Sequence, residues 1–301
     1  MSCFSAASAM KIFPLKVWIA GAVILFPCVL TAGPLLGPWK DAEFALPAVL
    51  SQRDNGAWSS VDYREERDIN ERDAIKERRV KKGWVSLDPR RKQKSARLRT
   101  GAGYLRYFAV GKSKGASTVT VYLHGRGGSR EQGVDDWSFG GNFNRIKNLM
   151  FRNGGLYLCP DVTDFGEKSA IQIRELLAKT MEGNPGADLF VACGSAGGRV
   201  GYLLAKDEVI AGQLSGLLLL GSVPDAGFLH SAAVSLKVPV YIGHGSADRV
   251  VPIEVMENFY RSIRGSSSGY PVKMVRFETG SHGTPIRMTD WRMVLNWMKQ
   301  N

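Results

Sequence analysis

The stretch "FVACGSAGG" (residues 190–198) ends an apolar run in a cluster of very small residues, with one serine, Ser195, at its centre. The apolar run is typical of a buried strand, and the next segment (196–207) has the pattern of a helix that begins at glycines. A serine between a strand and a helix fits the nucleophile-elbow pattern G-x-S-x-G, although Cys193 replaces the first glycine. Ser195 is therefore either a nucleophile on a tight turn or a small residue in a glycine-rich loop.

The chain around this stretch alternates apolar runs with segments of helical spacing. Several of the runs are apolar throughout, which indicates strands buried on both faces and therefore a mainly parallel sheet covered by helices. We expect one α/β domain over residues 103–301. The predicted strands are 104–110, 117–125, 154–162, 187–193, 214–222, 238–245 and 272–278, and the predicted helices are 167–182, 196–207, 253–264 and 289–299.

Three further segments that follow predicted strands carry polar chemistry. They are "LHGRGGS" (123–129), "GHGSADRVVP" (243–252) with Asp248, and "TGSHGTP" (279–285) with His282. Functional sites of such sheets form where the strands end at their carboxyl termini. Each signal is weak alone, because an aspartate after a strand is often a helix cap and a loop histidine is often a surface residue. Their order along the chain with the serine elbow makes them informative together.

Residues of about 103–301 resemble the α/β-hydrolase superfamily, in its esterase, phospholipase/carboxylesterase and dienelactone-hydrolase-like branches. The resemblance rests on "HGRGG", "CGSAGG", "HGSADRVVP" and "GSHG", and on the chain order of serine, aspartate and histidine. It implies an α/β-hydrolase fold, with a twisted, mainly parallel sheet and helices on both faces. No large cap domain is expected, since the interval 222–238 is short. The resemblance further implies hydrolysis of an ester, thioester or amide without a metal or an organic cofactor.

The resemblance also implies a role for each candidate residue. Ser195 is expected to attack the substrate carbonyl, His282 to take and return its proton, and Asp248 to hold the histidine in the productive tautomer. The backbone N–H groups of Arg126 and Ala196 are expected to form the oxyanion hole.

Several neighbouring residues leave alternatives open. Asp225, in "GSVPDAGF" (221–228), also follows a strand and competes with Asp248 for the role of the acid. The side chain of Arg126 either points to solvent or binds an anionic group of the substrate. His124 and His244 are read as structural residues that fix loop hydrogen bonds, because no third ligand with suitable spacing supports zinc.

The cysteines give a test of the strand order that the resemblance implies. The strand that ends at His124 is expected between those that end at Cys159 and Cys193. Two strand spacings are about 9–10 Å, whereas a disulfide needs Cα atoms within about 7 Å. Both cysteines are therefore predicted to be reduced thiols.

Residues 1–33 are predicted to be a signal peptide or an N-terminal membrane anchor. Lys11 and Lys16 precede an apolar stretch (17–33), which is the pattern of an export signal. The rest of the protein is then exported, as a periplasmic or secreted protein, or stays anchored to the inner membrane by residues 12–32.

Residues 34–102 are predicted to be a linker followed by a charged extension. Residues 34–60 contain three prolines and are expected to be irregular, and residues 61–84, rich in helix formers, are expected to form a solvated helix. The run "RRKQKSARLR" (90–99) has no acidic residue. It is either a solvated arm or, with the rest of residues 64–99, a contact for an anionic membrane surface or envelope polymer.

Two functions follow from the sequence. The first is an exported serine hydrolase that cleaves a small-molecule or polymeric carboxylic ester. The second is a catalytically silent hydrolase-fold envelope protein that binds an anionic partner through its basic N-terminal extension. The net charge of +12 is compatible with nucleic acid as a partner, but none is expected because no recognition motif accompanies the charge.

Overall fold

The computed structural model describes residue 1 and residues 34–301, so the predicted signal peptide or anchor lies outside the described residues. No helix within that described part is long and apolar enough to cross a membrane. Its helices are α1 Asp41–Phe44, α2 Asn142–Arg152, α3 Glu167–Glu182, α4 Gly197–Lys206, α5 Glu208–Ala211, α6 Ala232–Ser235, α7 Ile253–Gly265, α8 Thr284–Met288 and α9 Trp291–Met298.

The strands agree closely with the seven predicted between residues 103 and 301, and five more lie in the N-terminal segment. They are β1 Val49–Arg53, β2 Trp58–Val61, β3 Asp73–Ile75, β4 Arg79–Val80, β5 Gln93–Thr100, β6 Gly103–Gly111, β7 Thr118–Leu123, β8 Leu156–Pro160, β9 Asp188–Gly194, β10 Leu214–Leu220, β11 Val240–Gly245 and β12 Val272–Phe277. The four predicted helices are also present, as α3, α4, α7 and α9.

Ten of these strands form one sheet in the order β1-β2-β12-β11-β10-β9-β7-β8-β6-β5. The strands from β2 to β8 in this order run parallel. The pairs at both sides of them are antiparallel: β1 with β2 on one side, and β6 with β8 and with β5 on the other. Alternate side chains of the parallel strands are buried under α3, α4 and α7 on one face and under α2, α8 and α9 on the other. This confirms the predicted fold class, because strands buried on both faces need helices on both sides.

The strand order confirms the prediction for the cysteines. Strand β7 lies between β8 and β9, so Cys159 and Cys193 are on strands that are not neighbours. Both are buried free thiols. The interval between β10 and β11 holds only a 3₁₀ helix of five residues (Ala226–His230) and α6 of four, so no cap domain is inserted at this point.

The prediction of a linker over residues 34–60 is wrong, because part of it belongs to the sheet. Strands β1 and β2 form a hairpin, and β2 pairs in parallel with β12. The reason is burial: Trp58 and Val61 are almost completely covered and extend the core beyond β12. Four residues are too few for a period-two pattern to be recognised in the sequence.

The solvated helix predicted over residues 61–84 is also wrong. The segment contains a single π turn, Glu66–Asn70, and the small β3–β4 hairpin. Buried polar contacts with the rest of the fold hold this segment in place of ion pairs along a helix. Asp73, for example, accepts two hydrogen bonds from Arg287 at 2.6 and 3.1 Å. The chain therefore follows its tertiary partners rather than its local helix propensity.

The basic run 90–99 is not a free arm. It enters β5, an edge strand that pairs antiparallel with β6 along its whole length. Its inward-facing residues Ala96, Leu98 and Thr100 are partly or fully covered, which ties the strand to the sheet. Residues 34–301 thus belong to one compact unit, and the boundary expected at residue 103 is absent.

Candidate active site

Ser195 lies on the sharp turn between β9 and α4, as predicted. Its φ angle is 49°, in the left-handed region that residues other than glycine seldom adopt. The turn is held because Ser195 N–H donates to Leu220 O at 3.0 Å and Ser195 O accepts from Gly198 N–H at 3.0 Å. Strain of this kind collects at functional sites, and here it raises the side chain above the end of the sheet.

Cys193 fits the elbow because its neighbour across the packing interface has no side chain. A Cβ atom added to Gly201 of α4 would lie 2.5 Å from the Cys193 sulfur, far inside contact distance. The sulfur therefore fills the space that a side chain on α4 would take. Complete burial raises the pKa of the Cys193 thiol, which keeps it protonated and unreactive.

Ser195, His282 and Asp248 are hydrogen-bonded in series. His282 Nε2 lies 2.8 Å from Ser195 Oγ, and His282 Nδ1 lies 2.7 Å from Asp248 Oδ2. Because a carboxylate only accepts, Nδ1 carries the proton and Nε2 is free to accept from the serine hydroxyl. These are the distances that proton transfer between a nucleophile and its base requires.

The buried Asp248 carboxylate is held by the loop that carries it. Its Oδ1 accepts from the backbone N–H groups of Val250 and Val251 at 2.8 and 3.0 Å. Burial by itself raises the pKa of Asp248, but the hydrogen bonds from His282 and from these two N–H groups outweigh it and hold the pKa below its usual value. The group is therefore ionised at neutral pH.

His244 supports the same loop from behind, as the structural reading of the sequence predicts. Its Nε2 donates to Val251 O at 2.8 Å and lies 3.3 Å from Asp248 Oδ2. Burial lowers the pKa of His244, so the ring is neutral and presents a dipole rather than a charge to the carboxylate. His124 has a similar loop role, since its Nε2 accepts from Val162 N–H at 2.9 Å.

Asp225 does not lie at the histidine. Its side chain caps the short helix Ala226–His230 through Gly227 N–H at 2.8 Å and forms an ion pair with Lys206 at 3.4 Å. The competing acid of the sequence analysis therefore has an ordinary capping role.

The predicted oxyanion loop is a β-turn over residues 125–128. Gly128 N–H donates to Gly125 O at 3.0 Å, and Gly127 has φ 77°, which requires glycine at this position of the turn. Within residues 34–301, no hydrogen bond uses the N–H of Arg126 or of Ala196, which precedes the first turn of α4. Both donors are therefore free for a ligand. The Arg126 side chain is exposed.

A cavity of about 270 Å³, which was not predicted from the sequence, lies beside the histidine loop (residues 279–285). Its wall combines that loop with residues of the N-terminal segment, for which the sequence predicts a linker and a solvated helix. The one available signal was that Tyr63 and Ile69 are isolated apolar residues in a charged stretch. The lining residues are Tyr63, Ile69, Glu77, Phe139, Ser281, Gly283, Thr284 and Arg287.

Comparisons with known proteins support the fold. No family model and no curated protein matches the sequence. Among solved structures, the chain is similar to a thermostable esterase (TM-score 0.56, 14% identity, 70% of this chain and 63% of that chain). It is also similar to an esterase from Pyrococcus furiosus (TM-score 0.53, 16% identity, 75% and 98%) and to a protein of unknown function from Agrobacterium tumefaciens (TM-score 0.54, 15% identity, 67% and 93%).

At sequence identities of 14–16%, these similarities show a shared fold and nothing more specific. The match spans less than two thirds of the thermostable esterase but nearly all of the Pyrococcus enzyme. The chain therefore has the α/β-hydrolase fold, which is the fold predicted from the sequence.

Proposed function

We propose that the protein is a serine hydrolase that cleaves a carboxylic ester, or a related thioester or amide, through an acyl-enzyme. The observation that carries the proposal is the unbroken hydrogen-bond series from Ser195 through His282 to Asp248. The esterase neighbours support the hydrolase class, and the ester is the substrate that we infer from them.

In the proposed reaction Ser195 Oγ attacks the carbonyl carbon while its proton passes to His282 Nε2. Asp248 stabilises the imidazolium that forms and keeps Nδ1–H directed at its carboxylate. The negative charge on the carbonyl oxygen is met by the free N–H groups of Arg126 and Ala196, each of which contributes roughly 3–4 kcal/mol. His282 then gives its proton to the leaving oxygen, and water repeats the sequence to release the acid.

The cavity beside His282 is the proposed subsite for one side of the ester. At about 270 Å³ it holds a small group rather than a long acyl chain. Its apolar surfaces, Ile69 and Phe139, favour an alkyl or aromatic group, and its charged groups have both signs, with Glu77 and Arg287 in the wall. An ester panel with acyl groups and alcohols of increasing size would locate the limit on each side of the bond.

Labelling by a fluorophosphonate tests the proposal directly, because the reagent reacts only with an activated serine. Wild-type full-length protein is expected to be labelled and Ser195→Ala to stay unlabelled. Ser222→Ala is a matched control, since Ser222 is a buried neighbour that donates to Cys193 O and has no histidine partner. Absence of labelling on folded wild-type protein, or equal labelling of Ser195→Ala, would refute the proposal.

The alternative of a catalytically silent envelope protein is less well supported. A protein without catalytic activity would not need hydrogen bonds that align Ser195, His282 and Asp248. The free N–H groups beside the serine would also have no function in it. Export, with residues 1–33 cleaved or retained, stays a prediction from the sequence. Cell fractionation together with N-terminal sequencing of the isolated protein would decide both points.

A further inference from the structure

A basic groove lies at the end of the sheet opposite to Ser195. It has a volume of about 570 Å³ and runs between the start of β5, the 111–115 turn and the end of α2. That turn leads into the amino end of β7, whereas the proposed catalytic residues follow the carboxyl ends of β9, β11 and β12. The groove is lined by Arg91, Lys92, Lys94, Ala109, Gly111, Lys112, Ser113, Lys114, Phe151, Gly154 and Leu156.

The cations of the groove come from two separate segments. Arg91, Lys92 and Lys94 belong to the basic run of the sequence, and the fold adds Lys112 and Lys114 from the turn. All five are exposed. Arg91 has Asp88 at 3.8 Å, whereas none of the four lysines has a carboxylate partner among residues 34–301. Because no acidic residue lines the groove, the surface has an uncompensated positive potential.

The continuous described part of the chain, residues 34–301, starts close to this groove. Gly37 N–H donates to Asn153 Oδ1 at 2.7 Å, and Asn153 precedes Gly154 of the groove wall. In the sequence only residues 34–36 separate Gly37 from the apolar run of residues 17–33. Leu35 is exposed at this point, and the half-buried Phe151 contributes apolar surface to the groove itself.

We propose that the basic groove is a membrane-docking surface that binds anionic phospholipid headgroups. Lysines near an anionic leaflet each gain about 1 kcal/mol, and apolar side chains among them suit the headgroup boundary. An extended polyanion would be matched by the charge alone, but it would leave the apolar surface of Phe151 and the exposed Leu35 beside the lysines without a role. Docking there would turn the opposite end of the sheet, with Ser195, away from the lipid.

Cosedimentation with vesicles tests this proposal without any assay of hydrolysis. Full-length protein is mixed with phosphatidylcholine vesicles, with or without phosphatidylglycerol, at low and high salt. Any binding through residues 17–33 would be common to both kinds of vesicle, so the part that depends on the anionic lipid isolates the groove. We expect Lys94→Gln/Lys112→Gln/Lys114→Gln to weaken this part by at least about tenfold and to leave binding to neutral vesicles unchanged.

A matched variant controls for net charge. Lys168→Gln/Lys179→Gln/Arg199→Gln also removes three positive charges, from exposed positions on α3 and α4, and is expected to bind within about twofold of wild type. Equal weakening by both variants, or no weakening by the groove variant, would overturn the proposal. So would release of the protein by inorganic phosphate beyond the effect of chloride at the same ionic strength, since the groove would then be a site for the free anion. Thermal unfolding confirms that each variant is folded.

Discussion

The two ends of the parallel sheet differ in how they use charge. At the carboxyl end, Asp248 is almost fully buried and accepts hydrogen bonds from three groups, one of which, His282, accepts in turn from Ser195. At the amino end, exposed lysines stand side by side without acidic partners. Directed hydrogen bonds fix each group at the first end, whereas the second end presents a local cluster of like charges.

The two ends of the sheet are therefore expected to tolerate different kinds of substitution. A proton relay depends on the orientation of each group, so a single isosteric substitution disables it. A docking surface depends on summed potential, so its residues contribute independently and are screened by salt. Substitutions can therefore test the comparison one end at a time.

Asp248→Asn is expected to have the largest effect. The amide would donate to His282 and fix the wrong tautomer, so ester turnover should fall by about 10⁴-fold in kcat with little change in stability. Asp225→Asn is the control, because Asp225 caps a short helix and should leave kcat within about twofold. Steady-state kinetics on a soluble ester measure both. Similar losses in the two variants would remove the distinction between them.

Asp73→Asn tests whether the N-terminal segment is an integral part of the fold. It removes the partner of Arg287, whose side chain is only 5% exposed, and should cost about 3–5 kcal/mol of unfolding free energy in urea titrations. Lys76→Gln breaks the exposed pair with Glu65 and should cost less than about 1 kcal/mol. A cost for Asp73→Asn as small as that of Lys76→Gln would restore the reading of the segment as a loose arm.

Asp136 should make the stability of the fold depend on pH near the start of β5. It bonds Arg90 at 2.7 Å and Lys147 at 2.6 Å, and so fixes the chain just before β5. Burial by itself raises its pKa, but Lys147, Asn144 and Arg90 outweigh this and hold the pKa below its usual value.

Because the folded-state pKa of Asp136 is the lower one, its stabilisation is complete above the unfolded value of about 3.9 and is lost as the pH falls through the folded value. Between pH 5 and pH 3, wild-type protein should therefore lose up to about 1.4 kcal/mol per pH unit more than Asp136→Asn does. Urea titrations across this range measure the difference. Parallel pH curves for the two proteins would contradict the assignment.

Cys193 is expected to have little effect on turnover and a modest effect on stability. Cys193→Gly restores the usual elbow sequence and should leave kcat/KM within about twofold, while the lost sulfur costs about 1–2 kcal/mol of stability. Gly201→Ala alone should be destabilising by about 1–3 kcal/mol, since its Cβ would meet the sulfur. The double variant should recover part of that loss, and additive costs in the double-mutant cycle would show that the two residues do not pack as described.

The sheet and the three residues of the proposed proton relay were predictable because each has a local signature. The central strands are continuously apolar, and Ser195, Asp248 and His282 each follow one of them in the order that the resemblance implies. The distances between them come only from the fold, but the strand ends already determine that they share one edge of the sheet.

Helix α2 was not predicted, although Phe143, Ile146, Leu149 and Met150 are completely buried and have helical spacing. The reason lies in the polar residues between them. Asn142, Asn144, Lys147 and Asn148 are also buried and bond backbone carbonyls of neighbouring segments, but in the sequence such residues are typical of a solvated segment. The cavity was missed because its wall joins residues more than 200 positions apart along the chain.

The position of β5 at the outer edge of the sheet has a consequence for solubility. An edge strand exposes unpaired backbone groups to which another strand can add, and a row of like charges opposes that addition between identical copies. Lys94, Arg97 and Arg99 are exposed along β5, so two molecules that approached edge to edge there would repel each other. The other edge, β1, has no such row and exposes Val49 and Leu50, so it is the side from which self-association would begin.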